Sequence, residues 1–329
     1  MEKVRVLSSI KKILNSFAKP IDFFLAIVLL PASFVMLLYR KIGSHKMMLS
    51  TFLLKKIGIF PIINHYYEPQ FNFDNLKYNL KKKRNLPGVN LNINNQLNLL
   101  KNLKYKQELI DLNLTNKNSH INFNIDNKFF ERGDAEIYYQ VIRFFKPKKI
   151  IEIGSGQSTL ISLEAIKKNK VENQFSTQLI SIEPYENKWL EDLNIEIIRK
   201  KIEDIELELC MSLESNDVLF IDSSHIIRPQ GDILKEFLEI LPLLKPGVII
   251  HIHDIYTPRN YPERWLKKEN RFYNEQYLLE AMLDNSSRYS VLLGLNFLKN
   301  DYFNELKNCC PYLAEDTEPG SFYIRVNQK

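Results

Sequence analysis

The chain has 329 residues, 45% apolar and 26% charged, the make-up of a folded globular protein and not of a disordered or fibrous one. Its net charge of +6 comes from the first sixty residues, where ten Lys and Arg face only Glu2 and Asp22 and give +8. The rest is slightly acidic, which excludes nucleic acid as an expected partner, since such a protein carries its positive charge on the folded domain. Cys210, Cys309 and Cys310 are too few for a disulfide framework and wrongly spaced for zinc, so reduced thiols are expected.

In chain order, Val6, Leu7, Ile10, Ile13, Leu14 and Phe17 recur at helical spacing with Lys11 and Lys12 off that face, the pattern of a basic amphipathic helix on an anionic membrane. Residues 23–39 carry no charge and are bounded by Asp22 and Arg40. As a helix they would span roughly 26 Å, just short of the ~30 Å hydrocarbon core, and Pro31 at the centre predicts a kink. Residues 47–63 are apolar but broken by Lys55 and Lys56. A cleaved signal peptide fits poorly, because the run is long and Arg40-Lys41 follows it. Both flanks are equally basic, so a single span has no preferred orientation; a kinked element that dips into the cytoplasmic leaflet and returns fits better. Residues 1–63 are therefore expected to associate with the membrane, with the catalytic domain facing the cytoplasm.

Residues 64–130 are expected to form a cap or linker. They open on His65-Tyr66-Tyr67-Glu68-Pro69, read as a packed aromatic cluster in preference to a pocket wall. A basic run ending at Arg84 then meets the turn Pro87-Gly88, and helices are expected around 95–110.

Chemistry-bearing residues begin after 147. Residues 147–153 are a short β-branched run, read as a buried parallel strand, and lead into Gly154-Ser155-Gly156-Gln157-Ser158-Thr159 and an apolar helix. A strand, a glycine turn and a helix start make a ligand cradle. Thr159 stands where a dinucleotide site wants its third glycine, which disfavours NAD. The next strand, 179–182, ends in Glu183, an acidic tip able to accept bonds from two ribose hydroxyls. A third strand is expected at 195–198 with Asp204 just after it, and a fourth at 217–221 ending in Asp222-Ser223-Ser224-His225. After a helix at 232–241, Leu244-Lys245-Pro246-Gly247 leads into a fifth strand, 248–252, ending in His253-Asp254. Such alternation predicts a doubly wound parallel sheet with its ligands at the strands' carboxyl ends.

These motifs in series, from Glu152-Ile153-Gly154-Ser155-Gly156 through Glu183-Pro184 and Asp222 to His225 and on to His253-Asp254, resemble the class I S-adenosylmethionine-dependent methyltransferases over about 130–329. The resemblance implies a Rossmann-like, seven-stranded α/β sheet, mostly parallel with an antiparallel edge, for which 289–295 and 321–326 are the candidates. It implies S-adenosylmethionine as cofactor: Glu152 and the Gly154-Ser155-Gly156 turn at its methionine part, with Ser158, Thr159 and Asp222 close by, Glu183 at the ribose and Asp204 at the adenine edge. Ser158 stands where many members have a third glycine.

Methyl transfer needs alignment and an activated nucleophile. Asp222, His253 and Asp254 could hold a divalent metal such as magnesium. The arrangement is similar to metal-dependent small-molecule O-methyltransferases, with His253-Asp254 in place of an acidic pair. Alternatively His225 or His253 is the general base, with Asp254 completing the catalytic set. His251 is read as a packed core residue. The stretch after Asp254 reads as a substrate lid, with Tyr256 and Trp265 against the acceptor and Arg259 or Arg264 on an anionic group, and Asn274 as the N-cap of the next helix. O-methylation of a small or membrane-linked acceptor is expected. A metal-dependent hydroxylase on the same fold and a non-catalytic, membrane-tethered cofactor-binding partner are the alternatives.

Overall fold

The computed structural model describes residues 17–65, 67, 68, 72, 76–116 and 123–328. It divides into two compact units, Met1–Leu76 and Lys77–Lys329. The amphipathic helix expected at 4–17 lies outside the described residues apart from Phe17.

In the first unit, helix α1 (Ala18–Ile42) runs through Pro31 without a break and is longer than the uncharged run, taking in Lys19, Asp22, Arg40 and Lys41. The missing Pro31 N–H costs one backbone bond, which the turns on either side outweigh. Phe23, Phe24, Leu30, Phe34 and Val35 are exposed. The 25 residues are long and apolar enough to cross a membrane, at about 38 Å end to end. A turn with Gly43 at φ +103° leads to α2 (Met48–Ile57), and the hydroxyls of Tyr39 and Thr51 bond at 2.7 Å between the two helices. Of the aromatic cluster expected at 65–69, the rings of His65 and Tyr67 lie 5.6 Å apart, with Tyr67 80% exposed, and Glu68 pairs with Arg40. Tyr66 and Pro69 lie outside the described residues.

The second unit is built on one sheet of order β3-β2-β1-β4-β5-β7-β6. The strands are β1 (Lys149–Ile153), β2 (Gln178–Ile182), β3 (Glu196–Ile198), β4 (Val218–Ile221), β5 (Ile249–Ile252), β6 (Tyr289–Gly294) and β7 (Phe322–Val326). The first five are parallel; β7 runs antiparallel between β5 and β6. Ile150, Val218, Phe220 and Ile249 belong to one hydrophobic cluster, and Ile151, Leu219, Ile221 and Ile250 to another. Both faces are thus covered, which is why these strands read as unbroken apolar runs. His251 is fully buried, stacked 4.1 Å from Tyr323 and edge-on to Phe220. Burial, with His253 adding to it, holds its pKa well below the usual value, as a core histidine requires.

Helices α3 (Asp134–Phe145) and α4 (Gln157–Asn173) pack together. Arg143 on α3, 2% exposed, pairs with Glu108 at 2.8 Å and with Glu172 of α4. Leu100, Leu103, Leu109 and Leu114 enter the same core, so the chain from Lys77 to 116 is packed as part of this unit. The helices expected around 95–110 are Ile93–Asn102 and Lys106–Leu112, parted at Leu103. All three cysteines are free and buried.

Candidate active site

The carboxyl ends of β1, β2, β4 and β5 open into one cavity of about 1330 Å³. At β1, Gly154 adopts φ +78°, and a Cβ there would stand 1.9 Å from the Asp222 carbonyl oxygen. Only glycine allows that approach. Glu152 is fully buried behind the turn, accepting from Thr159 Oγ1 at 2.6 Å and Tyr138 Oη at 3.2 Å. Burial pushes its carboxyl up to about 7. Thr159 Oγ1 also accepts from Gly156 N at 3.1 Å, so Glu152 and Thr159 brace the turn from beneath. Gly154 and Glu183 line the cavity; Glu152, Ser155, Gly156, Ser158 and Thr159 are not part of its wall.

Glu183 sits at the end of β2. Its Oε1 accepts from Tyr185 N and Glu186 N at 3.1 and 3.0 Å, and its Oε2 from Ser155 N at 3.4 Å. Asp204, expected at the adenine edge, ends the 3-10 turn Ile202–Asp204 and is exposed; Ile202 and Glu203 line the cavity.

At β4 and β5 two imidazoles alternate with four carboxylates. Nε2 of His225 lies 3.2 Å from Asp222 and 3.5 Å from Asp254, and its Nδ1 2.8 Å from Glu275. Nδ1 of His253 lies 3.3 Å from Asp222 and 3.6 Å from Asp254, and its Nε2 3.6 Å from Asp134. Burial alone would lower both imidazoles, but Asp222 foremost, with Asp254 and Glu275 or Asp134, raises them well above the usual value. Burial likewise opposes the charge on Asp222, yet His253 and His225 hold its carboxyl well below the carboxylate range. Burial pushes Asp254 and Glu275 up. Both rings are thus held above the near-neutral range of an unperturbed imidazole.

Ligand atoms of Asp222, His225 and Asp254 lie within 4.8 Å of one another. His225 thus joins the two aspartates, and His253, expected as the third ligand, stands as close to both; His225 and Asp254 adopt φ +61° and +60°. The donor set fits a divalent cation. The Glu275 bond to Nδ1 is the outer contact that orients a metal-binding imidazole.

Of the proposed lid, Tyr256, Arg264 and Trp265 line the cavity. Arg259 does not: its guanidinium bonds Asp301 at 2.9 Å and the Lys81 carbonyl at 3.2 Å. Asn274 stands at the N-cap of helix α5 (Glu275–Leu283) but makes no side-chain cap; its Oδ1 instead accepts from Ile227 N at 2.6 Å. Sequence reasoning missed Asp134, Arg228, Arg271, Tyr273 and Glu275. No local motif marks them, since they meet the site only through the packing of distant segments.

Residues 151–255 match a family model described as a methyltransferase domain. The match assigns this stretch, about a third of the chain, to a methyltransferase domain. An uncharacterized protein of Archaeoglobus fulgidus is 29% identical to this chain over 178 residues, 49% of this chain and 77% of that protein. Among solved structures, cmcI with SAH is 15% identical, covering 60% of this chain and 77% of that one at TM-score 0.34. The MycE methyltransferase of the mycinamycin biosynthetic pathway, in complex with Mg, SAH and mycinamycin VI, is 12% identical, covering 61% and 50% at TM-score 0.33.

Proposed function

We propose that the methyltransferase transfers the methyl group of S-adenosylmethionine to a hydroxyl of a small or membrane-linked acceptor, assisted by a divalent cation. The observation that carries this reading is the convergence of Asp222, His225 and Asp254 within 4.8 Å in the cavity that also takes in Gly154 and Glu183. The Gly154 turn leaves room for the cofactor's methionine part, and Glu183 is the acceptor for its ribose hydroxyls. Asp222, His225 and Asp254 would hold the cation, which when bound lowers the pKa of an acceptor hydroxyl. Glu275 keeps Nδ1 of His225 protonated, leaving Nε2 as the ligand. Once Asp222 and Asp254 are engaged with a cation, His253 keeps Asp134 at Nε2 and offers Nδ1 to the acceptor's proton.

Methyl transfer is an in-line displacement, so what the chain supplies beyond this is alignment and exclusion of water. Tyr256 and Trp265 wall the acceptor side. In the first unit, α1 with its exposed apolar side chains and Arg40 and Lys41 at its end supports membrane association. The domain division read from sequence, a membrane segment to 63, a connecting region to 130 and the catalytic domain beyond, goes with this proposal.

The test is calorimetric titration of S-adenosylmethionine and SAH into the full chain in detergent micelles, with magnesium and with chelator. Binding that is lost in Glu183→Ala supports the reading; absence of binding with metal present overturns it. Release of the full chain from membranes by alkaline carbonate would count against the anchor.

A further inference from the structure

The acceptor half of the cavity has a basic corner. Past β5 the chain turns through Arg264–Lys268, closed by bonds from Glu269 N to the Arg264 carbonyl at 3.0 Å and from Arg271 N to the Trp265 carbonyl at 2.9 Å. Glu269 sits between two guanidinium groups, accepting from Arg271 Nε at 2.8 Å and ion-paired with Arg264, whose Nε lies 2.5 Å from its Oε1. Two cations share one carboxylate, so a positive charge is left over. Arg271 is hydrogen-bonded through Nε and Arg264 is ion-paired there, so Nη2 of Arg271 and the Nη groups of Arg264 can donate to a ligand.

Arg271 is the better fixed of the two. Its guanidinium lies 4.3 Å from the Trp265 ring and 5.5 Å from the Tyr273 ring, and Nη1 reaches Tyr273 Oη at 3.5 Å. Trp265 packs in turn on Tyr256 at 5.3 Å. Tyr273 lies 4.7 Å from the His225 ring, so a single aromatic ring separates Arg271 from the cation-binding cluster. Arg228, half-exposed and 3.6 Å from Asp232, lines the same cavity with Arg264, Arg271 and Tyr273.

We propose that the methyl acceptor is anionic and that Arg271 and Arg264 receive its oxyanion, a phosphate or a carboxylate, so that a hydroxyl about one ring away meets Asp222 and Asp254. The inference rests on the methyltransferase reading and names the acceptor class. A planar guanidinium already immobilised by stacking and an ion pair loses little freedom when it takes an oxyanion with two parallel N–H bonds. The other end of the acceptor side is acidic, with Asp134, Asp222 and Asp254, and would repel the same anion. The polarity therefore sets the acceptor's direction. These arginines follow β4 and β5, whereas Gly154 and Glu183 follow β1 and β2 on the other side of the sheet order, which separates this corner from the cofactor's own carboxylate.

A free phosphate ester and a lipid head group offer the same oxyanion, so both are tested. Glucose 1-phosphate, phosphatidylinositol in the micelle, glucuronate and glucose are titrated into the full chain in detergent, saturated with SAH and magnesium. At least one anionic probe is expected to bind ten-fold or more tighter than glucose. Arg271→Met, and the exposed Arg264→Met, which carries little folding risk, should each remove most of that preference while SAH affinity stays within two-fold. Preference for phosphatidylinositol over glucose 1-phosphate would assign a lipid-linked acceptor, and the reverse a soluble one; either supports the proposal. Equal binding of glucose, unchanged binding in both variants, or no binding of any anionic probe to the SAH-loaded protein overturns it. Failure of SAH itself to bind would overturn the methyltransferase reading, and this inference with it, before any acceptor probe is added.

Discussion

Gly154 and Asp222 meet where β1 and β4 end: Asp222 N donates to the Ile153 carbonyl at 2.8 Å, and a Cβ on Gly154 would lie 1.9 Å from the Asp222 carbonyl oxygen. The cofactor turn and the cation-binding strand end are therefore one piece of backbone. Gly154→Ala forces them apart and strains a left-handed residue, a cost on the order of 1–3 kcal/mol. SAH affinity and cation affinity should fall together in calorimetry. A variant that loses only one of the two would show that the ends are independent.

Removal of cation ligands should separate metal binding from cofactor binding. Asp254→Asn and His225→Ala are expected to lower manganese affinity at least ten-fold, read by electron paramagnetic resonance of the free ion. His253→Ala should retain most of that affinity while turnover is lost. Equal manganese loss in His253→Ala would return that residue to the ligand set.

Glu275 acts through His225. Glu275→Gln removes the charge facing Nδ1 at 2.8 Å, and outer contacts of this kind are worth roughly 10- to 100-fold in metal affinity or activity. The apparent magnesium requirement should rise by that order while SAH affinity is unchanged. An equal loss in both would assign Glu275 a purely structural part.

Glu152 makes stability depend on pH. Its carboxyl is raised from 4.5 to about 7 by burial, so between those values the folded state binds more protons than the unfolded one. The stabilisation is complete below pH 4.5 and is lost as pH rises toward 7, by on the order of 3 kcal/mol. Glu152→Gln should flatten this slope in urea unfolding followed from pH 5 to 8. Its neighbours Thr159 and Tyr138 are hydroxyls that can reorient to an amide. An unchanged slope would rule Glu152 out as its source.

Arg143 joins three segments, pairing with Glu108 and with Glu172, and bonding Asn169. Arg143→Met leaves those groups without their cation and should cost about 3 kcal/mol, seen as a lower urea midpoint. A change within experimental error would mean that the contacts of residues 106–112 with α3 are dispensable.

The strands and the glycine turn were legible because their causes are local. A strand covered on both faces must be apolar throughout, so β1, β2, β4 and β5 were readable to within a residue or two, and a turn between β1 and a helix needs glycine wherever backbone comes close. The acidic strand ends could be read for the same reason: Glu183 and Asp222 each follow an apolar run directly, and Asp254 follows one after His253. α1 was legible in its apolar centre but not in its length, because Lys19, Asp22, Arg40 and Lys41 are charged yet helical.

Tertiary structure decided what faces what. His225 and His253 both come within 3.6 Å of Asp222 and Asp254, a convergence that composition does not reveal. Arg259 is spent on Asp301, a partner far along the chain, and Asp204 is exposed while Glu203 lines the cavity. Asp134, Arg271 and Glu275 reach the site from segments on either side of the central strands. Periodicity along a sequence fixes which residues are buried within an element; the convergence of side chains at the strand ends is fixed by sheet order and loop conformation, and those are set by packing among residues that the chain keeps far apart.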